Sequence, residues 1–491
     1  MGFLFYMKKK KLNIVWLKRD LRTFDHQPLF EAEKAKIDYI IIYLFEPRMI
    51  NFSDSSLRHQ KFIYHSILEI NRSLKKYKRK VHIFKCDANV FFEHIISIYQ
   101  INIIYSYRET GINITWDRDK KLNEILISKN IKWVEFANQG VSRGIVNRNN
   151  WDKNWFTYIN SPLINNVFTV NNFDFDYKKF QFCVDNFSNY KSYNGYYQPA
   201  GELFAKKYLS SFINKRFINY NNHISIPEKS RYSCSRLSTY LSWGNLSMKY
   251  VYQSVKNSKN YILNKRPFDS FLARLKWRSH FIQKFEVDCS YEHTCINRGY
   301  EKLIYPNNDK YLEAWITART GFPIIDACMN CLEKTGWLNF RMRAMLVSFL
   351  CHYLEQDWRR GVYHLSKLFL DYEPGIHFTQ FQMQAGVTGV NSIRVYNPLK
   401  QSKEKDPDSI FIKKWVPELA KINNGFVHEP WKLTKIDLGG EKIPEHYINP
   451  IISPELKRTQ TVKNLWKFRK EKYVKEESSR ILKVHVRNRK L

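Results

Sequence analysis

Short apolar runs separated by longer polar stretches organise the first 135 residues of this chain of 491 residues. Five runs are rich in β-branched and aromatic residues: NIVWL, YIIIYLF, KVHIF, INIIYSY and IKWVEF. Each run has the length of a strand, and each polar stretch between them is long enough for a crossover helix. The pattern predicts an N-terminal α/β domain over residues 1–135, in which a parallel sheet carries helices on both faces. Ligands of such sheets bind beside the carboxyl ends of the strands.

Helical periodicity begins after a stretch with little pattern. Residues 136–200 are rich in Asn, Tyr, Phe and Ser, which predicts a long irregular connection between domains. From Gly201 the composition becomes helical, and we expect a larger, all-α domain over residues 201–450. Within it, one set of apolar residues recurs at three- and four-residue steps and predicts a buried helical stripe: Leu338, Met342, Met345, Leu346, Phe349, Leu350 and Tyr353.

Arg343 lies beside this stripe. Because a guanidinium stays charged, an inward-facing Arg343 needs a carboxylate partner, and Asp371 is the nearest candidate. From periodicity alone, the pair is an ordinary buried ion pair.

The formal net charge of +34 is the strongest compositional signal. Such a charge attracts polyanions, so nucleic acid is the first expected partner and an anionic membrane surface the second. The abundance of Asn, Ile, Lys and Tyr also fits a lysine-rich proteome in which many surfaces are basic. Residues 451–491 form a basic C-terminal tail, which is either a solvated segment or one that contacts DNA. No apolar run approaches the length of a membrane span, and we expect no membrane partner.

Eight scattered cysteines suggest no disulfide framework, which suits a reducing cytoplasm. The start, MGFLFYMKKKK, places apolar residues before charges, the reverse of a secretory signal. Both observations favour a cytoplasmic protein. Cys328 and Cys331 form a CxxC inside a helical segment, where core packing is favoured over a metal or redox site. We predict no metal site.

Several phrases of the chain resemble the photolyase/cryptochrome family, in the order found there. They are WLKRDLRTFDHQPL near the start, CSRLSTYLSWGNLS in the middle, and TGFPIIDACM, TGW, RMR, DWRRG, LFLDYEPG, YNP and WVPEL towards the end. The resemblance spans roughly residues 12–420. It implies that the helical domain binds FAD and that the N-terminal domain holds an antenna pigment, a folate or a deazaflavin. It also implies a protein that acts on DNA with pyrimidine photolesions, and we expect a monomer.

The resemblance implies a set of residues that contact FAD. Hydroxyls and free backbone N–H groups at a helix start, as in CSRLS, can bind a pyrophosphate. Without the resemblance, the same five residues indicate only a helix cap. Cys234 stands where the family usually has threonine, which removes one hydroxyl. The cofactor-binding residues predicted in this way are Tyr220, Cys234, Ser235, Arg236, Leu237, Ser238, Phe271, Arg343, Asp371, Tyr372 and Glu373.

The resemblance also implies a DNA-binding face. Trp277 and Arg278 match the family's WR pair at the mouth of the flavin cavity, where a tryptophan stacks on an extruded base. A helical tryptophan is equally common as a core residue. The DNA-binding residues predicted are Arg274, Trp277, Arg278, Phe340, Arg341, Lys400 and Lys403.

The chain departs from its relatives at reactive positions. Arg274 replaces the glutamate with which dimer-splitting photolyases bind the bases. Phe340 and Ala344 replace both the Asn/Met pair of those enzymes and the histidines of (6-4) photolyases. His377 stands where Asn or Asp faces flavin N5. We predict catalytic roles for His377, as a proton source, and for Arg343 and Asp371, as the ion pair beside the flavin ring.

The tryptophan relay that reduces the flavin survives only in part. Trp358 is present, but Phe381 holds the place nearest the flavin and Tyr305 the outer place. We predict electron transfer through Trp358 and Tyr305, with a slow step or another route at Phe381.

Two functions remain open. The first is a light-dependent DNA repair enzyme, in which reduced FAD passes an electron to a pyrimidine lesion. The second is a cryptochrome-like light sensor without repair activity, which the altered lesion-pocket residues favour. A basic DNA-binding protein without a cofactor leaves the flavin phrases unexplained.

Overall fold

A computed structural model describes residues 10–169, 173–455 and 459–486. Residues 1–9, on which the argument against a secretory signal rests, and residues 487–491 at the end of the basic tail lie outside this part. The predicted strands are all present: β1 Lys11–Leu17, β2 Tyr39–Leu44, β3 Val81–Phe84, β4 Gln100–Tyr107 and β5 Lys132–Phe136. They pair in parallel in the order β3-β2-β1-β4-β5, so the strand order reverses beside β1.

Helices cover both faces of this sheet, as predicted. In β1, Ile14 and Trp16 point into one apolar core and Val15 and Leu17 into the other, because successive strand residues face opposite ways. The helices of this domain are α1 Gln27–Lys34, α2 Pro47–Ile50, α3 Leu57–Leu74, α4 Ala88–Ile98 and α5 Asn113–Ser128. Helices α4 and α5 share the core of Trp16, whereas α1 and α3 share the core of Leu17 with part of the helical domain.

The segment 136–200 is less irregular than its composition suggests. It contains α6 Trp151–Asn160 and α7 Ser188–Lys191, together with the 3-10 helix Tyr177–Cys183. Its Phe173, Phe175 and Phe180 pack into the sheet core that contains α4 and α5. The segment is therefore part of the folded N-terminal half, because these aromatic side chains bury apolar surface that a free linker would expose.

The remainder is helical, and the first helix after the connection begins one residue beyond Gly201. Its helices are α8 Glu202–Asn214, α9 Tyr220–His223, α10 Pro227–Ser233, α11 Ser238–Ser242, α12 Met248–Lys256, α13 Lys259–Leu263, α14 Lys265–Val287, α15 Asp309–Ile316, α16 Pro323–Thr335, α17 Phe340–Ser348, α18 Arg359–Leu368, α19 Pro374–Ala385, α20 Pro398–Lys405, α21 Ile410–Trp415, α22 Asn424–Val427, α23 Lys435–Leu438 and α24 Glu445–Ile448. Further 3-10 helices are Lys75–Tyr77, Arg216–Asn219, Cys289–Glu292, Arg298–Lys302, Pro417–Leu419 and Pro430–Lys432.

The predicted apolar stripe is the core of this domain. Every one of its residues is buried, and α17 continues directly into a π-helical turn, Phe349–Tyr353. Cys328 and Cys331 are fully buried in α16 within the same core, as expected of packing residues. Among the described residues, no group of three or more His, Cys, Asp or Glu side chains is arranged to hold a metal ion.

Of the two alternatives left for the basic tail, the solvated segment does not fit the described part of residues 451–491. Helices α25 Gln460–Phe468 and α26 Lys472–His485 pack onto the helical domain. Their apolar residues Leu465, Val474 and Ile481 are fully buried, and the His485 ring contacts the Tyr291 hydroxyl at 3.0 Å. The basic side chains lie on the outward faces of two amphipathic helices. Within the described chain, no helix combines the length and apolarity needed to cross a bilayer.

Candidate active site

Arg343 and Asp371 form the predicted ion pair. Arg343 donates hydrogen bonds of 3.0 and 2.8 Å to the two carboxylate oxygens of Asp371, and its Nε donates to the Leu338 carbonyl at 2.8 Å. Burial alone would raise the pKa of the Asp371 carboxyl, but the charge and hydrogen bonds of Arg343, with a hydrogen bond from Ser238, hold it below its usual value. The Asp371 side chain is buried, whereas the Arg343 side chain remains 24% exposed. Arg343 therefore presents a fixed positive charge at the edge of the core.

His377 lies beside this pair on α19. Its ring packs edge-on against Tyr372, Phe381 and Phe369, at centroid distances of 5.4, 5.8 and 6.1 Å. Its Nε2 lies 2.8 Å from the Val362 carbonyl, so Nε2 carries the proton of the neutral ring and donates it to that carbonyl. Burial is the main cause that lowers the pKa of His377 to about 4. The imidazole is therefore neutral near pH 7 and its N–H is already engaged, which argues against the predicted role as a proton source.

Arg231 and Arg236 form a second group of positive charges, beside the segment Cys234–Ser238. The Arg236 guanidinium lies 3.9 Å from the Trp337 ring, and the Arg231 guanidinium lies 5.8 Å from the same ring. Neither forms a salt bridge with a carboxylate of the described residues, and Arg236 Nε is buried without a hydrogen-bond partner there. Burial, followed by the charge of Arg231, lowers the pKa of Arg236 to about 10. The Asp371 charge acts on Arg236, but neither cation forms a salt bridge, so an added anion would relieve both effects and the pair is a candidate anion site.

The backbone of the segment Cys234–Ser238 has a left-handed residue and a helix start next to the candidate anion site. Arg236 has a left-handed conformation, with φ of 57°, and its carbonyl accepts a hydrogen bond of 2.5 Å from Gln198. The predicted helix start is confirmed, because α11 begins at Ser238. The Ser238 hydroxyl accepts from Trp337 Nε1 at 3.3 Å and also bonds Asp371. Ser238 therefore joins the anion site to the Arg343–Asp371 pair.

These features fit a cofactor that combines a diphosphate with a ring carrying negative charge, as FAD does. Arg236 and Ser238 would hold the diphosphate, and Arg343 and Asp371 the flavin ring. The other predicted contacts lie nearby in sequence or packing: Cys234 and Leu237 are buried beside α11, Ser235 is half-buried, and Tyr220 and Phe271 pack together at a centroid distance of 6.2 Å.

Tyr372 and Glu373, two of the predicted FAD contacts, bind other residues of the protein. The Tyr372 hydroxyl donates to Asp54 Oδ2 at 2.8 Å, and its carbonyl accepts from Arg19 at 2.9 Å. The Glu373 carboxylate accepts from Arg278 at 2.9 Å. Asp54 and Arg19 belong to the N-terminal domain, so the Tyr372 side chain points away from Arg343 and towards the sheet.

The predicted DNA-binding residues divide into exposed and buried ones. Trp277 and Phe340 are 57% and 46% exposed, and Arg274, Lys400 and Lys403 also face solvent. Arg341 is half-buried and donates to Gln401 at 3.3 Å.

Arg278 is different, because its side chain is 9% exposed and engaged with Glu373. Its charge faces the interior, where it supports the loop that carries Asp371, and not a phosphate at the surface.

The predicted electron-transfer residues are buried. The Trp358 ring lies 6.5 Å from the Phe381 ring, and Phe381 lies next to His377. Tyr305 is buried rather than at the outer surface, and its hydroxyl has no hydrogen-bond partner among the described residues. The row of aromatic rings that leads from Trp358 to His377 therefore passes through Phe381, which is not readily oxidised.

A cavity lies at the carboxyl ends of β1 and β2, between the sheet and the helical domain. It is partly open to solvent. Its lining joins residues of both domains, among them Tyr43, Asp54, His59, Trp243 and Tyr372. This is where the parallel sheet was expected to bind a ligand. The cavity is apolar and aromatic on the side of α3 and charged near Arg19, Glu46 and Glu109.

Two family models match the chain. A model described as DNA photolyase matches residues 13–143, and a model described as the FAD binding domain of DNA photolyase matches residues 271–467. Among relatives, the deoxyribodipyrimidine photo-lyase of Alkalihalophilus pseudofirmus is 24% identical over 477 residues, covering 92% of this chain and 97% of that protein. Cryptochrome DASH of Synechocystis is also 24% identical, over 461 residues, covering 86% of this chain and 90% of that protein.

Solved structures match the whole fold. The archaeal photolyase of Sulfolobus tokodaii, crystallised with two FAD molecules, has a TM-score of 0.76 and 25% identity, covering 93% of this chain and 99% of that one. The fold and the site thus define a two-domain flavoprotein with an α/β domain and a helical FAD-binding domain. The chain belongs to the photolyase/cryptochrome family.

Three residues of the site escaped the sequence analysis. Trp337 belongs to the TGW phrase, so the resemblance could have marked it as a residue of the site. Arg231 lies five residues before Arg236, and its spacing carries no information about a shared ring. Asp54 is separated from Tyr372 by 318 positions, and no local pattern connects them.

Proposed function

We propose that the protein is a light-dependent DNA repair photolyase, in which reduced FAD donates an electron to a UV-induced pyrimidine lesion. The observation that carries this proposal is an exposed aromatic residue one helical turn from the flavin-facing ion pair: Phe340 and Arg343 are three residues apart on α17 and share a face. Trp277 supplies a second exposed ring, next to Arg278, which reaches the loop of Asp371 through Glu373.

The chemistry that FAD supplies when bound is the transfer of one electron, and the protein's residues prepare it. The cation of Arg343 favours a negatively charged flavin ring, and Asp371 holds the guanidinium in place. Arg236 and Ser238 anchor the diphosphate. Trp277 and Phe340 offer surfaces on which an extruded base stacks, while Arg274, Arg341, Lys400 and Lys403 attract the DNA backbone.

A second chromophore fits the cavity between the two domains. The aromatic rings of its walls would stack on a planar pigment, whereas Arg19 and Arg118 are already paired with carboxylates of the N-terminal domain. A folate, a deazaflavin and a second FAD each carry such a planar ring, and the purified protein's absorption and mass spectra distinguish them.

The repair function is tested with flavin that has been chemically reduced in the dark. Two oligonucleotides, one with a cyclobutane dimer and one with a (6-4) photoproduct, are each incubated with the protein under blue light and in darkness. We expect intact bases to return in one of the two, in the light only. Absence of repair for both lesions in the light, with the flavin still reduced, would remove the proposal.

A cryptochrome-like light sensor is the second candidate. It is favoured by Arg274, Phe340 and Ala344, which replace the residues with which repair enzymes of either lesion type bind the bases. In this function the protein does not distinguish damaged from intact DNA. Light would instead alter a surface, and the docked helices α25 and α26 are the first place to look, by hydrogen exchange in light and darkness.

A further inference from the structure

A buried tyrosine and a buried carboxylate meet between the two domains. Tyr372 and Asp54 are both largely buried, and the Tyr372 hydroxyl donates to Asp54 Oδ2 at 2.8 Å. Asp54 lies in the loop between α2 and α3, and Tyr372 in the loop before α19. A phenol hydrogen-bonded to a carboxylate has a ready path for its proton, which most buried tyrosines lack.

Tyr372 also lies against the flavin-facing residues. It follows Asp371 directly in the chain, and its ring is 5.4 Å from the His377 ring. On its other side it stacks on His59, with a centroid distance of 5.8 Å and an interplanar angle of 16°. The Tyr372 ring therefore lies between the His377 ring and the cavity between the domains, which it lines.

The expected electron route offers no equal donor. Phe381 interrupts the path from Trp358, because phenylalanine is not readily oxidised. The Tyr305 hydroxyl has no hydrogen-bond partner among the described residues, so an oxidised Tyr305 has no base to take its proton. Within the described part of the site, Tyr372 combines nearness to His377 and Asp371 with a proton acceptor.

We propose that Tyr372 is the electron donor that reduces the photoexcited, oxidised flavin, with Asp54 as its proton acceptor. One electron leaves the Tyr372 phenol for the flavin, and the hydroxyl proton moves along the hydrogen bond to Asp54 Oδ2. The products are a neutral tyrosyl radical, a protonated Asp54 and a flavin that carries one more electron. A thiol reductant then gives a hydrogen atom to the radical, and Asp54 releases its proton. The inference rests on the proposed flavin site.

Electrostatics explains why the proton must leave. Burial is the main cause that raises the pKa of Tyr372 well above its usual value, so the phenol is protonated before the electron leaves. The Arg19 guanidinium lies 5.7 Å from the ring and disfavours a positively charged radical there. The charged groups that face Asp54 are Arg19 and Glu292, of opposite sign, and burial raises the pKa of Asp54 to about 6. Asp54 is thus ionised at pH 7 and able to accept.

The test compares Tyr372→Phe with Tyr39→Phe in the flavin-loaded, oxidised protein. Tyr39 is the matched control, because it is buried and its hydroxyl donates to the Glu33 carboxylate at 2.6 Å, but at the start of β2. A blue flash is followed by electron paramagnetic resonance and transient absorption. We expect a tyrosyl radical in wild type and in Tyr39→Phe, and its loss in Tyr372→Phe, with photoreduction slowed by about tenfold or more.

Two further arms separate electron donation from a structural role. Asp54→Asn keeps a polar group beside the phenol but removes the base, so we expect slow photoreduction and no added slowing in D2O. If Tyr372→Phe retains too little flavin, 3-fluorotyrosine at position 372 keeps the ring and the hydrogen bond and shifts the radical spectrum instead. An unchanged radical signal in either Tyr372 variant overturns the inference.

Failure of the inference and failure of the proposed function give different results. Repair assays begin with chemically reduced flavin and do not need Tyr372 as a donor. Normal repair with an unchanged radical in Tyr372→Phe contradicts only the inference. A radical that is lost in Tyr372→Phe, in a protein that repairs neither lesion, contradicts only the repair function.

Discussion

Asp371 and Tyr372 are consecutive residues whose side chains bind different domains. Asp371 accepts two hydrogen bonds from Arg343 in the helical domain, whereas Tyr372 donates one to Asp54 in the α/β domain. The loop that carries the Asp371 carboxylate is therefore held from both sides. Arg19 adds a third attachment, from the α/β domain, by donating to the Tyr372 carbonyl at 2.9 Å. The N-terminal domain thus shapes the proposed flavin site as well as the cavity beside it.

Arg343→Met should destabilise the flavin-free protein. Removing one partner of a buried ion pair leaves Asp371 charged and unpaired, at a cost of about 3–5 kcal/mol, and the partial exposure of Arg343 places the loss at the lower end. Urea unfolding measures it. The control is Arg360→Met, whose partner Asp309 is 93% exposed, and it should cost less than about 1 kcal/mol. Equal losses in the two variants would show that Asp371 is solvated.

Arg236→Met should have opposite effects on the free protein and on FAD binding. Without FAD, the substitution relieves the repulsion from Arg231, so the free energy of unfolding should stay the same or rise. A hydrogen bond from a charged group contributes about 1.5–3 kcal/mol, so FAD should bind at least about tenfold more weakly. Calorimetric titration of the apoprotein with FAD measures the affinity.

Arg469→Met is the matched control for Arg236→Met, since Arg469 lies over the Trp466 ring, at 5.9 Å, as Arg236 lies over Trp337. It should leave FAD affinity unchanged. Weaker FAD binding together with an equally weakened apoprotein would mean that Arg236 supports the fold only.

Trp277→Ala should weaken binding of lesion-containing DNA. Stacking on an aromatic side chain contributes about 1–3 kcal/mol per base, so the dissociation constant should rise about fivefold to a hundredfold. Fluorescence anisotropy at fixed salt measures it, with intact DNA in parallel. Trp466→Ala removes another partly exposed tryptophan, on α25, and should leave the affinity as it is. A similar change for damaged and intact DNA would favour the light-sensor function.

Flavin photoreduction should depend on pH through Asp54. Burial raises the pKa of Asp54 to about 6. Below this pH the carboxyl is protonated and accepts no proton from Tyr372, so the photoreduction rate should fall as the pH drops through about 6 and level off above it. The nearby histidines do not titrate in this window, since burial lowers the pKa of His59 to about 3 and that of His377 to about 4.

Rates measured between pH 5 and 8 in wild type and in Asp54→Asn give the comparison. The variant should show a low rate without the step near pH 6. A step that persists in Asp54→Asn would assign the titration to another group.

Much of the fold follows from local patterns. Strands β1 to β5 are predicted from their apolar runs, because short β-rich runs between polar stretches have few other ways to be buried. The stripe from Leu338 to Tyr353 is predicted from its period, and it indicates where Arg343 lies. The pairing of Arg343 with Asp371 also follows, since a buried guanidinium requires a nearby carboxylate.

Several side-chain partners lay beyond the reach of local patterns. Arg278, predicted to contact DNA, is turned inward to Glu373, and Tyr372, predicted to contact FAD, donates a hydrogen bond to Asp54. The basic tail was predicted to be either solvated or in contact with DNA, and the described part of it is docked through Leu465 and Val474. Each outcome depends on a partner distant in the chain.

The sequence by itself therefore determined the five strands, the buried helical stripe and the residue types available for the proposed flavin site. Only the tertiary structure decided which way Tyr372 points, which charge Arg278 meets and what covers the helical core. The physical reason is the separation along the chain. Apolar periodicity depends on residues a few positions apart, whereas Asp54 and Tyr372 are 318 positions apart and become partners only when the two domains pack together.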